Sequence, residues 1–405
     1  MYQQGQILQG YKVMSKLPKT IKTEYGDFPI KRRLYVKYDE EKKENINRYP
    51  LDEELGLKKY ERIEINLKDK YMSFMVDGKR YKDILHTTEN ANISERTISN
   101  IFKNADLEKV DYISNKNNNK IKIPNNVLYI QIDGAFEPMR ENKKRVENKI
   151  FLATMHVGVD KEKSTKTKIK MKKKKGVFQM MNKNHNNKNN KSNIDNFIDK
   201  IFKLMDTYDI NEDTKILILS DGEKQIKKIY RAVKAKYKNN KVSYSLDKFH
   251  LTSIFKKIYP FQNKNKENRE AYHKAVDYFF NGKYEELLQC LEDSKFFISD
   301  FKLDFLNKAI RLIKNNKEGI RNQTLWNNVG CHMEGDISHY WKGTMIKKAI
   351  YSEKTIKNKL NASMMGLKNR INLFNNNEQP LEENRINYLV NNFVNNNLQR
   401  NLYFY

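Results

Sequence analysis

Three aspartates carry the chemistry that can be read from this chain. Asp133 directly follows the apolar run VLYIQI at 127–132, Asp221 comes just after KILIL at 215–219, and glycine succeeds both. Asp247 closes a third run, VSYSL at 242–246. Taken singly, each reads equally well as a helix cap or a turn residue. Brought together, their charges would repel and take up protons unless a cation sat among them. Magnesium is the cation such hard oxygens suit, with substrate phosphate oxygens and water completing its shell. Two such ions about 3.5–4 Å apart can activate an attacking oxygen and stabilise a leaving one.

A strand, helix, strand unit must position two of these acids. Residues 215–219 and 242–246 have strand composition, while 223–238 places Ile226, Ile229, Tyr230, Val233 and Tyr237 on one helical face. A parallel pair with a right-handed crossover sets Asp221 and Asp247 at one carboxyl edge of a sheet, where open α/β sheets hold their ligands. The run 127–132 supplies a strand ending at Asp133, and KIFLATMHVGV at 149–159 a further one antiparallel to it. Gly222, without a Cβ, permits a sharp turn or a close approach.

The 405 residues suffice for two or three domains. Against 50 Asp+Glu stand 78 Lys+Arg, a net charge of +28. Such a surface attracts polyanions, nucleic acid first among them. No apolar run reaches the roughly 18 residues of a membrane span, and the opening MYQQGQILQG lacks the basic and apolar regions of a signal peptide. Cys290 and Cys331 are the only cysteines and are not spaced as metal ligands, which argues against a zinc site or a disulfide framework. A reducing, cytoplasmic and nucleoid-associated location is expected.

Residues 1–70 are mixed and basic, with strand signals near 33–37 and 62–66 and no readable role. Over 71–120 a helix, turn, helix pattern occupies 81–104. Ser94 is placed to cap the second helix, Ile98 and Ile101 face inward, and Arg96, Thr97, Ser99 and Asn100 stay exposed, as in a DNA-recognition helix. A first core section is expected over 121–262, an all-helical insertion over 263–322, a return to the core over 323–360 and an Asn-rich tail over 361–405. Between 161 and 191, twelve lysines face one acid, Glu162. That block repels itself and should be partly disordered. Its stretch TKTKIKMKKKK could form a lysine-protected edge strand. Lys172, Lys173, Lys174 and Lys175 read either as a solvated loop or as phosphate contacts.

The phrases LSDGEKQIK, SLDKFHL and HMEGDISHYW, in this order after the Asp133 strand, resemble DDE transposases with a ribonuclease-H-like core. The likeness is greatest to bacterial transposase-like proteins related to the Mutator and hAT groups, carried on insertion sequences and integrative conjugative elements. It covers 127–352. The resemblance implies an α/β fold with a ribonuclease-H-like mixed sheet, an all-helical insertion and an N-terminal helix-turn-helix. It also implies Asp133, Asp221 and Glu334 as a metal-binding triad for two Mg²⁺ or Mn²⁺ ions. In the DKFH element it places His250 beside the scissile phosphate or a flipped base, with Asp247 a rival for the third ligand position. Read without the resemblance, Glu334 is one acid among many and His250 a helix-start histidine bonded to Asp247. Thr344-Met345 stands where the family carries Arg-Met, and AFEPM at 135–139 is less polar than the family's stretch. The implied activity is metal-dependent cleavage and strand transfer of a mobile element's double-stranded DNA by a homo-oligomer. A related nuclease or resolvase without strand transfer, or a non-catalytic DNA-binding protein, are the alternatives.

Overall fold

Along 26–37 the residues alternate between half-buried and exposed, interrupted only by buried Tyr35; this is the period-two pattern of a strand with one covered face. In the computed structural model, which describes residues 10–87, 92–105, 107, 120–165, 169–181, 192–259, 266–345 and 349–365, this strand belongs to the first of two units. That unit comprises 1–110 with 365–405, and the second 111–364. In the first, β1 (Lys12–Thr23), β2 (Gly26–Asp39) and β3 (Glu44–Arg48) form an antiparallel sheet in sequence order. The covered face buries Lys19, and Asp52 of α1 (Pro50–Glu54) pairs with both Lys19, at 2.9 Å, and Arg32.

The helices α2 (Ile65–Val76), α3 (Tyr81–Thr87) and α4 (Glu95–Asn104) pack on one another. They bury Leu67, Tyr71, Met72, Met75, Ile84, Ile98 and Phe102. Ser94 caps α4, its hydroxyl accepting from the Thr97 N–H at 3.2 Å. Arg96 and Asn100 are exposed, Thr97 and Ser99 half-buried. The turn residues 88–91 lie outside the described residues. Of the early strand signals, 33–37 falls inside β2, whereas 62–66 makes one bridge, Ile63 to Lys22, and then enters α2.

The second unit is built on a strand whose first residues, VLYIQI, are buried on both faces, as in the interior of a covered sheet. Its strands are β4 (Val127–Glu141), β5 (Lys144–His156), β6 (Lys175–Met180), β7 (Lys215–Ser220), β8 (Val242–Leu246) and β9 (Tyr351–Ser352). They form a six-stranded sheet ordered β6-β5-β4-β7-β8, with β9 beside the far end of β4. The pairings β4–β5 and β5–β6 are antiparallel, β4–β7 and β7–β8 parallel. This is a mixed α/β architecture.

One face carries Ile130, Ile132, Phe151, Ile216 and Ile218. They pack against α5 (Asn193–Met205), α6 (Lys224–Lys236) and α7 (Lys248–Ile258) through Phe197, Ile201, Ile229, Val233, Leu251 and Phe255. The same apolar cluster continues into α8 (Lys266–Phe280), α9 (Tyr284–Asp293), α10 (Asp300–Asn315) and α11 (Lys317–Arg321), the helical stretch expected there. The other face carries Ile150, Leu152 and Phe178. It is covered by α12 (Met333–Asp336), a π-helical turn (Ile337–Trp341) and α13 (Glu353–Met365), through Met333, Ile337, Trp341, Ile356 and Leu360.

Three expectations shift. β4 does not end at Asp133-Gly134 but runs on to Glu141, because β5 keeps pairing with it after β7 has stopped. The edge strand β6 overlaps the lysine run only at Lys175 and gains its buried surface from Val177, Phe178 and Met180 beyond it, while within the run Met171 forms a single bridge to Val159. α13 extends past 360 to Met365. Parts of the lysine block, 166–168 and 182–191, and the Asn-rich tail from 366 lie outside the described residues. Among the described residues no helix is long and apolar enough to cross a membrane.

Candidate active site

Register fixes the site. Ile132 of β4 lies beside Ser220 of β7, and Ser220 beside Leu246 of β8. The next residue on each strand is an aspartate. Asp133, Asp221 and Asp247 therefore stand in one row across three neighbouring strands, spaced about 4.8 Å apart. Alternation along each strand gives them the parity of Gln131, Leu219 and Ser245, opposite the Ile132 and Leu246 side chains packed under α5–α7. The Asp247 N–H still donates to the Ser220 carbonyl at 2.7 Å, carrying the ladder one step beyond the strand.

Each carboxylate is fixed by its own backbone. Asp133 Oδ1 accepts from the Gly134 N–H at 2.7 Å, Asp221 Oδ1 from Glu223 at 3.0 Å, and Asp247 Oδ1 from Phe249 at 3.0 Å, capping α7. The cap reading of Asp247 is thus correct and leaves its second oxygen available. Gly222 has φ +87°, and a Cβ there would lie 2.8 Å from Leu246 Cδ1 and 2.9 Å from Asn316 Nδ2. Only glycine fits that turn.

His250 gathers the second oxygens. Its Nε2 lies 3.4 Å from Asp133 Oδ2 and 3.6 Å from Asp247 Oδ2, distances of a charge contact more than of strong hydrogen bonds. The hydrogen bond and charge of Asp133, with the charges of Asp247 and Asp221, lift the imidazole to about 9 against the cost of its burial. It is a cation at neutral pH. Asp221 is pushed up to about 6, chiefly by burial and then by the charges of Glu223 and Asp133. Burial also raises Asp247. The row carries more negative charge than its surroundings balance.

A second set of groups supports the first and has little sequence signature. Lys149 pairs with Glu223, and its stem crosses Gly134, where a Cβ would come within 2.7 Å of Lys149 Cε. Under the row, Gln131 meets His156 Nε2 at 2.8 Å, donates to the Gly330 carbonyl at 3.2 Å and accepts from the His332 N–H at 3.0 Å. His156 is fully buried, stacked on Tyr129, and driven down to about 3 chiefly by that burial, with the neighbouring His332 and Lys174 adding. It is neutral. The one signal that could have found this network is the intrusion of Gln131 and Thr154 into otherwise apolar strand runs, at the parity of Asp133.

Not every expected residue joins the row. Glu334 is exposed on α12, and among the described residues it forms no group of metal-ligating side chains with the aspartates. The buried acid of that turn is Asp336, which accepts from Thr154 Oγ1 at 3.0 Å and pairs with Lys174. Lys174 is therefore occupied internally. Lys175 opens β6 half-buried, leaving Lys172 and Lys173 exposed. Among the described residues, no three His, Cys, Asp or Glu side chains stand as a ready-made metal cage; the His250 ring lies between Asp133 and Asp247. The donor set nonetheless fits a hard divalent cation, being carboxylate oxygens, anchored on one side and short of compensating charge.

The fold and site define a mixed α/β protein with aspartates aligned in register across three neighbouring parallel strands. The chain belongs to an uncharacterised protein family, UPF0236, whose model matches residues 3–386. No curated protein matches it.

Proposed function

We propose that this protein is a transposase of the DDE type with a ribonuclease-H-like core, cutting and joining DNA strands by phosphoryl transfer. The observation that carries the reading is the in-register row of Asp133, Asp221 and Asp247 at one carboxyl edge, gathered by His250. Asp133 and Asp221 would hold Mg²⁺ or Mn²⁺, with Asp247 or Glu334 as the third ligand. A bound pair of such ions supplies an activated water or 3′ hydroxyl and a stabilised leaving oxygen. The chain's own groups do the rest. The anchored oxygens keep the acids in place without reorganisation. His250, charged and half-exposed, presents an N–H to a non-bridging phosphate oxygen, and no Ser, Tyr or Cys nucleophile is required.

In the first unit, α3 and α4 would read DNA through Arg96 and Asn100, with Thr97 and Ser99 nearer the core, and Lys172 and Lys173 would add phosphate contacts. Pairing of two element ends calls for a homo-oligomer. The reading is tested by nicking and end-joining assays on element DNA, with Asp133→Asn, Asp221→Asn and Asp247→Asn beside the wild type. Loss of both activities supports it, and joining lost with nicking retained would indicate a nuclease. The exposed position of Glu334 favours one rival, a DNA-binding protein without catalysis, for which no divalent cation effect on DNA would be seen.

A further inference from the structure

One face of the β1–β2 ribbon carries four exposed cations, with buried Tyr35 set between Arg33 and Lys37. By strand alternation Lys31, Arg33 and Lys37 of β2 share that face with Lys16 of β1, and all four are exposed. Register sets Lys16 directly opposite Arg33, and Pro18 opposite Lys31. Like charges facing each other across an antiparallel pair destabilise the sheet. The covered face is treated differently: there Lys19 and Arg32 are both matched by Asp52. On the outer face none of the four cations has an ion-pair partner among the described residues. Acids of this face occur only at the ribbon's two ends, Asp27 paired with Lys22, and Asp39 opposite Glu44. Charges serving solubility alone could alternate in sign; these do not.

We infer that this face is a binding site for the phosphate backbone of duplex DNA, separate from α3–α4. Alternate residues of a strand lie about 6.8 Å apart, twice the ~3.4 Å axial rise per charge on one DNA strand. Anionic phosphates between Lys16 and Arg33 would convert a repulsive pair into a shared contact. A two-stranded ribbon also has the width to follow a major groove. Duplex DNA is chosen among polyanions because of the proposed activity, and the inference rests on that reading in this respect only.

The test is equilibrium binding of the full chain to duplex DNA, without divalent cation, over a range of KCl concentrations. Each phosphate contact removed flattens the log–log salt dependence by roughly 0.9, so Lys16→Gln, Lys31→Gln, Arg33→Gln and Lys37→Gln combined should flatten it by about 3.6. Arg33→Glu alone should weaken DNA binding while leaving the melting temperature equal or higher, since Lys16 then faces an opposite charge. An unchanged salt slope in the folded combined variant overturns the inference. If that variant does not fold, unchanged DNA affinity in Arg33→Glu overturns it. Binding to anionic phospholipid vesicles that falls in the variants while duplex binding holds also overturns it, assigning the face to a membrane. Because no cleavage is read, failure of the catalytic proposal leaves this result standing, and the reverse holds for an active enzyme whose salt slope is unmoved.

Discussion

The imidazole Nε2 of His250 lies 3.4 Å from Oδ2 of Asp133, although 117 positions separate them. The same nitrogen lies 3.6 Å from Asp247 Oδ2. One cation on a helix start thus bridges Asp133, midway along β4, and Asp247, just past β8, where their carboxylates would otherwise repel.

That contact sets a pH dependence. His250 titrates near 9 in the folded chain, above its ordinary 6.5. Its contribution to stability is therefore complete below pH 6.5 and is lost as pH rises through about 9. Thermal melts of the metal-free protein should show the melting temperature falling across this window, and His250→Gln should flatten the fall. An equal fall in the variant would contradict the contact.

Asp221 points to a trade between stability and function. Its folded value of about 6 is raised above the ordinary 3.8, so stability from this group is present at low pH and lost between those values. At neutral pH the ionised carboxylate strains the fold. Asp221→Asn should then stabilise the metal-free protein by on the order of 1 kcal/mol, after allowance for partial solvent exposure. Mg²⁺ or Mn²⁺ should raise the melting temperature of the wild type and not of the variant, by preferential binding to the folded state.

Asp336 ties α12 to the sheet. Removing this acid abolishes its hydrogen bond from Thr154 and its pair with half-buried Lys174, at a cost of roughly 1–3 kcal/mol. Asp336→Ala should show this loss in chemical denaturation, and Lys174→Met in the same chain should recover part of it. Additive effects of the two changes would mean the pair with Lys174 is not what holds the turn.

Gly222→Ala forces a side chain into a left-handed turn and against Leu246 and Asn316. The expected loss exceeds about 1 kcal/mol, with cleavage lost through displacement of Asp221. A variant with wild-type stability and activity would show the turn to be pliable.

Much of the frame was legible from local pattern. Residues 215–246 read as strand, helix, strand because apolar runs and a 3.6-residue face leave few alternatives, and α5–α10 follow from the same periodicity. The row of Asp133, Asp221 and Asp247 was half-legible: three strand ends were visible, while their alignment depends on register, which only pairing sets. The first sheet was missed over β1 because its apolar residues, Val13, Met14, Leu17 and Ile21, do not follow a period of two. The partners of Asp336, Gln131 and His156 could not be assigned, since each lies at least 25 positions away, and only the polar Gln131 and Thr154 in apolar runs hinted at the network. Glu334 stood out only by resemblance, whereas burial marks Asp336 as the acid the fold uses at that turn.

The most direct measurement is Mn²⁺- or Mg²⁺-dependent nicking of element DNA by the wild type and by Asp221→Asn, at matched DNA binding. The account predicts cleavage by the wild type that disappears with chelator and falls at least ~100-fold in the variant, about 2.7 kcal/mol of barrier. Equal cleavage by the two proteins, or none by the wild type with either ion, would contradict it.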